Sequence, residues 1–295
     1  MKLILKLLLL FVCINVSAAT ETKVILPFGQ GGGTELTYRQ FEKYVSQNKN
    51  VNFITFYKPG ALGLVGLQEL SKSPKDGSTI AYTTIGSLAD ALMTDNLQFE
   101  YVSAINKLPL VLVTNNKTNI SNYKQFDSKL KSGVPYSFGY TSQAQLLSIK
   151  QILSNVKPKT EAVIAPYKSG SNVITDLVGG QIDFAVLPYE TVKDFIDSNK
   201  LKILGSTLYI KEYPNIIEFD KTYKNWVDIA GYAIVLPKDT PKEYVIYWQK
   251  MVYDYVNDRD IKKQMKDENS SFYTSGEVFL KQMVINTSND TRIKN

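Results

Sequence analysis

Four glycine-rich turns, each set just behind a short apolar run, constrain this chain more than any other feature of its 295 residues. Residues 24–39 carry the clearest case. Val24 to Pro27 is followed by Phe28, by four glycines within five positions (Gly29 and Gly31 to Gly33), and by Thr34, which opens a helical pattern. A turn of this kind presents unpaired backbone N–H groups at the positive end of a helix, which suits an anion. Looser versions recur at Lys58-Pro59-Gly60-Ala61-Leu62-Gly63, at Gly139-Tyr140-Thr141-Ser142 and at Tyr167-Lys168-Ser169-Gly170-Ser171. Together they predict one cleft lined largely by backbone. The first turn is not a phosphate loop, because no Gly-Lys-Ser/Thr follows, and the dinucleotide spacing fails at Thr34.

The ends and the composition narrow the chemistry. Lys2 and Lys6 flank the start of an apolar stretch centred on Leu7–Val12, and Val16-Ser17-Ala18 supplies small residues at cleavage spacing. This is the pattern of a secretory signal over residues 1–19, cut near Ala18 or Ala19. The stretch is too short to span a bilayer comfortably. Cys13 is the only cysteine and there is no histidine. The mature chain is therefore expected to form no disulfide, no thiolate nucleophile, no Cys/His zinc site and no histidine base; neither a metal nor a cofactor is expected. An exported chain of about 275 residues that relies on packing alone fits a large core in two lobes or one big domain. The formal charge of +6 falls to about +4 without Lys2 and Lys6, and the charges are scattered. The stretch with Lys262, Lys263 and Lys266 also carries Asp260, Asp267 and Glu268, a solvated helix face rather than a nucleic-acid patch.

Apolar β-rich runs alternate with helical patterns along the chain. Strands are expected at Val24–Leu26, Val51–Tyr57, Thr79–Thr83 and Leu108–Thr114. Helices are expected over 34–46, with Leu36, Phe41, Tyr44 and Val45 on one face, and over 62–70. The rhythm restarts with a helix at Tyr123–Lys131, a strand at Val134–Phe138, a helix at Ser142–Leu153 and a strand at Ala162–Ala165. A helix at Ser171–Val178 stops at Gly179-Gly180, followed by strand Ile182–Leu187, helix Thr191–Ser198 and strands Leu201–Gly205 and Gly231–Leu236. Three helices close the chain. This predicts an α/β protein with two lobes, each a mostly parallel sheet flanked by helices. Folding the last helices back onto the first unit gives lobe boundaries of 20–112 plus 236–295 for one lobe and 113–235 for the other. The chain then crosses near Leu110–Thr114 and again near Ala233–Leu236, and the ligand sits in the cleft at the carboxyl ends of strands.

At this point the residues resemble a known family, the periplasmic solute receptors of tripartite tricarboxylate transporters, also called the Bug family. The likeness runs from about Lys23 to Met283. It is carried by Pro27-Phe28-Gly29-Gln30-Gly31-Gly32, Pro59-Gly60-Ala61-Leu62-Gly63, Pro74-Lys75-Asp76-Gly77, Pro166-Tyr167-Lys168 and the stretch from Thr175 to Asp183, in order and at the family's spacing. The resemblance implies a type II-like periplasmic binding protein, a non-enzymatic monomer whose lobes close over a carboxylate-bearing metabolite and which hands it to membrane permease subunits. It points to Phe28, Gly31, Gly32, Ala61, Leu62 and Gly63 around one carboxylate held by backbone amides and waters. It also points to Thr84, Thr141, Ser142, Tyr167 and Leu187 elsewhere in the cleft. Four departures stand out. Gly29-Gln30 replaces a usual Pro-Pro, and Glu35 replaces Asp. Thr141 and Gln145 replace a glycine and a histidine. Leu187-Pro188 replaces Asp-Asn, which predicts a less polar far end and a ligand without an ammonium group there.

Other readings of the same residues stay open. A sensor subunit that presents ligand to a membrane kinase would use the same site, and Lys168 or Glu35 could in principle serve a secreted enzyme. Lys168 either pairs with a carboxylate or points to solvent. Thr84 and Ser142 are helix caps, ligand contacts or both. Asp76-Gly77 reads as a turn, Asp183 as a strand-end brace, and Arg39 as the i+4 partner of Glu35.

Overall fold

A computed structural model describes residues 20–267, 269–272 and 276–289. The expected signal at 1–19 lies outside the described residues. The first part of the chain runs β1 (Thr20–Leu26), α1 (Gly33–Lys49), β2 (Val51–Tyr57), α2 (Leu64–Ser71), β3 (Thr79–Thr84), α3 (Ile85–Asp95) and β4 (Phe99–Lys107). The middle runs β5 (Leu110–Asn115), α4 (Tyr123–Lys131), β6 (Ser137–Tyr140), α5 (Gln143–Val156), β7 (Val163–Pro166), α6 (Gly170–Gly179), β8 (Phe184–Pro188), α7 (Tyr189–Asp197) and β9 (Leu201–Ser206). It closes with β10 (Ile217–Glu218) and α8 (Phe219–Thr222). The last part runs β11 (Gly231–Pro237), α9 (Lys242–Asn257), α10 (Arg259–Asp267), β12 (Ser271–Phe272) and α11 (Glu277–Ser288).

These elements build two sheets, ordered β2-β1-β3-β11-β4-β12 and β7-β6-β8-β5-β9-β10. Both sheets place their strands in the same way. The first three strands of each unit pair in parallel, β1 with β2 and β3, and β6 with β7 and β8. A strand arriving from the other lobe then inserts antiparallel, β11 beside β3 and β4, and β5 beside β8 and β9. The sheets are thus mixed rather than mostly parallel, because each crossover delivers its strand from the opposite end. The change of sheet falls between Lys107 and Leu110 and between Glu218 and Gly231. That is a few residues ahead of the crossings read from the sequence, since Leu110–Asn115 and Gly231–Pro237 are each one unbroken strand of one sheet.

Helices cover both faces of each sheet. On one face of the first sheet an aromatic cluster packs Tyr38 and Phe41 of α1 against Tyr82, Trp248 and Tyr255. The Trp248 indole donates to the Gly77 carbonyl at 3.2 Å, which ties α9 to the Asp76-Gly77 turn. On the other face α3 and α11 bring Leu88, Leu280 and Val284 against Ile25 and Val235. Of the face expected on α1, Phe41 and Val45 are buried, whereas Leu36 is 45% exposed; Thr34 and Tyr38 complete the buried stripe. Strand β4 has no counterpart in the sequence reading. It hides in Phe99–Lys107, where Glu100, Ser103 and Asn106 break the apolar run.

Candidate functional site

The lobes meet over a cavity of about 40 Å³ at the carboxyl ends of the strands. Phe28, Gly29, Gly32, Gly33, Thr34 and Thr84 line it from the first lobe, and Thr141, Ser142, Ser169, Gly170, Leu187 and Thr191 from the second. Leu108, Leu110, Ala230 and Tyr232 close it at the crossovers. No charged side chain is among its lining residues. Helix starts converge there: α1 at Gly33, α3 behind Thr84, α5 behind Ser142, α6 behind Ser169 and α7 behind Pro188. Each contributes a partial positive charge and backbone donors without a cationic side chain.

The helix ends differ in how far they are already satisfied. Thr84, Ser142 and Ser169 accept from the N–H groups of Ser87, Gln145 and Asn172, so α3, α5 and α6 carry their own caps. The expectation that Thr84 and Ser142 cap helices holds, and both also face the cavity. Gly32 and Pro188 give α1 and α7 no side-chain cap. Gly33 has a second constraint: a Cβ there would sit 2.5 Å from the Tyr232 hydroxyl, so only glycine lets α1 start this close to β11.

The first glycine turn is held by Glu35. Its carboxylate accepts the Gly31 N–H at 2.7 Å and the Tyr57 hydroxyl, and pairs with Arg39 at 3.4 Å. Burial pushes this carboxyl up, but the Tyr57 and Gly31 hydrogen bonds and the Arg39 charge outweigh it and hold Glu35 below the usual range. Arg39 also reaches Glu42 at 2.6 Å. The Glu35–Arg39 pair is therefore present, and it braces the turn rather than forming an acid–base site.

Of the expected site residues, Phe28, Gly32, Thr84, Thr141, Ser142 and Leu187 line the cavity. Gly31, Ala61, Leu62, Gly63 and Tyr167 do not. Gly31 gives its N–H to Glu35. Ala61, Leu62 and Gly63 form a tight turn with φ of 45°, 53° and 99°, and the Leu62 carbonyl accepts the Ser87 hydroxyl at 2.7 Å. That turn stands one layer back, with Gly63 behind the Phe28 ring. Gly60 has φ +147° and a Cβ there would lie 2.8 Å from Val65, so a side chain at this position strains the turn itself. The Tyr167 hydroxyl turns away to Asp176 at 2.8 Å, and the Lys168 side chain is exposed. Asp183 braces Ser137 at 2.9 Å, as expected. The lining residues missed from sequence include Thr191 and Tyr232. Thr191 was legible as the start of a helix behind an apolar strand, whereas Tyr232 carried no signal inside a long apolar run.

The lobes are closed on one another. The Gly29 N–H donates to the Lys168 carbonyl at 3.4 Å, and the Ser171 hydroxyl donates to the Gln30 carbonyl at 3.2 Å. The Gln143 amide of α5 donates to buried Asp90 of α3 at 2.8 Å. Burial pushes the Asp90 carboxyl up, and the Gln143 bond only partly offsets this. Near the crossovers, Lys107 lies 3.5 Å from Asp228, whose carboxyl burial pushes up to about 6.

Residues 37–293 match the family described as the tripartite tricarboxylate transporter family receptor. The chain is 22% identical to Protein BugT of Bordetella pertussis over 82% of its own length and 78% of that protein. Its fold is similar to Rpa4515 of R. palustris with adipate, at a TM-score of 0.81 and 16% identity over 91% of this chain and 93% of that one. It is also similar to MatC of Rhodopseudomonas palustris with bound malate, at 0.79 and 16% over 93% and 98%. The chain belongs to the tripartite tricarboxylate transporter receptor family, whose members are transport receptors of the periplasmic binding protein fold and not enzymes.

Proposed function

We propose that this receptor captures a small carboxylate between its lobes, after export and removal of residues 1–19, and passes it to the membrane subunits of a tripartite tricarboxylate-type transporter. One observation carries the reading: a cavity between the lobes with no charged lining side chain, at which the starts of α1, α3, α5, α6 and α7 converge. Backbone donors and helix dipoles can hold an anion there, and the start of α1, which has no side-chain cap, has the most to offer. The carboxylates bound by Rpa4515 and MatC support the same class. A cavity of about 40 Å³ has room for only a few waters, so a metabolite enters with the lobes apart and leaves them slightly wider than here.

Leu108, Leu110, Ala144, Leu187 and Ala230 make part of the lining apolar. They favour an acid with an apolar body and no ammonium group. The test is a thermal-shift screen of mature protein, unfolded and refolded to strip carried-over ligand, against mono-, di- and tricarboxylates, amino acids and neutral analogues. A cognate acid at about 100 times its dissociation constant should add roughly 2.7 kcal/mol. A response confined to neutral or cationic solutes would overturn the carboxylate reading, and tight binding of aspartate or glutamate would overturn the apolar end.

A further inference from the structure

The first turn of α5 meets the cavity with a fixed hydrogen-bond polarity. Ser142 and Gln145 stand three residues apart, on one face of that turn, and both line the cavity. Their spacing is that of a capping box, in which the third helical side chain turns back over the helix start. Here the Gln145 Oε1 accepts the Thr141 N–H at 2.6 Å and the Thr141 hydroxyl at 3.1 Å. A backbone N–H can only donate, so this bond fixes which end of the carboxamide is the oxygen. The nitrogen end, Nε2, is the one left over.

A leftover amide on the outer surface would simply be hydrated, but Gln145 is only 4% exposed. Among the described residues no acceptor takes the Nε2 hydrogens, and yet this atom is not sealed off by protein. It therefore opens on the cavity that the side chain lines. The Ser142 hydroxyl is placed alike. Its oxygen accepts the Gln145 N–H at 3.4 Å, and among the described residues its hydrogen has no acceptor. The other hydroxyls of this wall are committed: Thr191 donates to the Pro188 carbonyl at 2.7 Å, and Ser169 to the Asn172 side chain at 2.5 Å. Gln145 thus presents donors only, from a buried position and with no charged side chain in the lining.

We propose that Gln145 is a specificity-determining residue of this receptor, donating through Nε2, with the Ser142 hydroxyl beside it, to a second oxygen acceptor on the bound acid. The inference rests on the carboxylate reading above: one carboxylate goes to the start of α1, and the second group meets α5. A carboxylate or a carbonyl oxygen satisfies the pair. A protonated amine brings hydrogens against hydrogens and leaves Nε2 without an acceptor once the lobes close on it. The site therefore rejects amines through a neutral side chain of fixed polarity, not through a cation.

Calorimetry on refolded mature protein tests this with three series matched in length. They are the diacids succinate, glutarate and adipate, the amino acids γ-aminobutanoate, δ-aminopentanoate and ε-aminohexanoate, and the monoacids butanoate, pentanoate and hexanoate. In the native protein the best-bound diacid should exceed the amino acid of its length by about tenfold or more, a comparison that needs no variant. Gln145→Glu keeps an oxygen for the Thr141 N–H but turns the donor into an acceptor. The diacid-to-amino-acid ratio should then fall about 100-fold, with the melting temperature little changed. Gln145→Met removes donor and acceptor together, and should weaken the diacid about tenfold while leaving the amino acid where it was. Equal binding of diacid and amino acid by the native protein, an unmoved ratio in Gln145→Glu, or an equal loss across all three series would overturn this inference and leave the carboxylate reading standing. No binding of any of these acids up to about 10 mM would tell against the carboxylate reading itself, and this inference would fall with it.

Discussion

The two lobes repeat one strand order yet end their equivalent helices differently. Helix α1 follows the first parallel strand of its sheet, and α5 follows the first parallel strand of the other. At the start of α1 stands Gly32, extended and without a side-chain cap. At the start of α5 stands Ser142, which satisfies the Gln145 N–H, while the Gln145 side chain satisfies the Thr141 N–H at 2.6 Å. One lobe therefore leaves its first-turn donors for a ligand, and the other spends several of them internally and presents hydroxyls instead. The third helices reverse the roles, α3 being capped by Thr84 and α7 not capped by Pro188. Each lobe thus brings one helix start without a side-chain cap to the cavity, although the first N–H of α7, that of Tyr189, already donates to the Pro109 carbonyl at 3.0 Å. The same scaffold can serve different acids by moving caps from one helix to another, without adding a cation.

Four substitutions would break or sharpen this contrast. The largest effect is expected from Leu187→Asp. Leu187 is fully buried at the floor of the second-lobe wall, so an unpaired carboxylate there costs several kcal/mol and repels an anion. Thermal melting should show a fall of about ten degrees or more, with no measurable carboxylate binding; intact affinity would remove Leu187 from the site. Gly32→Val comes next. Gly32 has φ −96° and its Cβ would meet the Gly170 nitrogen at 3.6 Å and the Gly29 carbonyl at 3.8 Å, both ordinary contacts, so the fold tolerates it while the methyls fill the gap between lobes. Affinity should drop about 100-fold with melting nearly unchanged, and calorimetry on the folded variant decides.

A cap exchange is subtler. Gly32→Ser installs the second lobe's device in the first, and should raise stability by a few tenths of a kcal/mol while lowering affinity about tenfold. Ser142→Gly should lower stability by a similar amount. If Gly32→Ser leaves affinity unchanged, the uncapped end of α1 is not where the anion rests. The smallest effect concerns pH. Asp90 is pushed up by burial in the closed state, and parting the lobes is expected to hydrate it and let its carboxyl titrate lower. The closed form then binds the proton better, so closure strengthens as pH falls through the closed-state value and weakens as pH rises through it. Affinity should tighten a few-fold on acidification in the native protein, and Asp90→Asn should flatten that slope. A slope that survives the substitution would assign the effect elsewhere, with Asp228 the next group to examine.

The positions of most elements were legible because apolar period and punctuation agree in this chain. Tyr123–Lys131 and Val51–Tyr57 fall where the pattern predicts, and Gly180 stops α6 in the left-handed conformation. Strand β4 was not legible, since its polar residues mimic a loop and its partners β11 and β12 come from far along the chain. For the same reason sequence could not show the antiparallel insertions. In the site, glycine and hydroxyl positions at helix starts could be read from local rules. The occupancy of each donor could not, because Glu35 takes the Gly31 amide and Ser87 takes the Leu62 carbonyl through side chains whose reach only the fold defines.

The insertion of β11 between β3 and β4 also sets an order of assembly. All strands of the second sheet come from residues 110–218 in one continuous stretch, whereas the first sheet lacks its middle strand until residue 237 has been made. For a chain threaded out from its amino end, the later-starting lobe can finish first. The earlier one must wait with β3 and β4 held apart, exposing the apolar edges that β11 will cover.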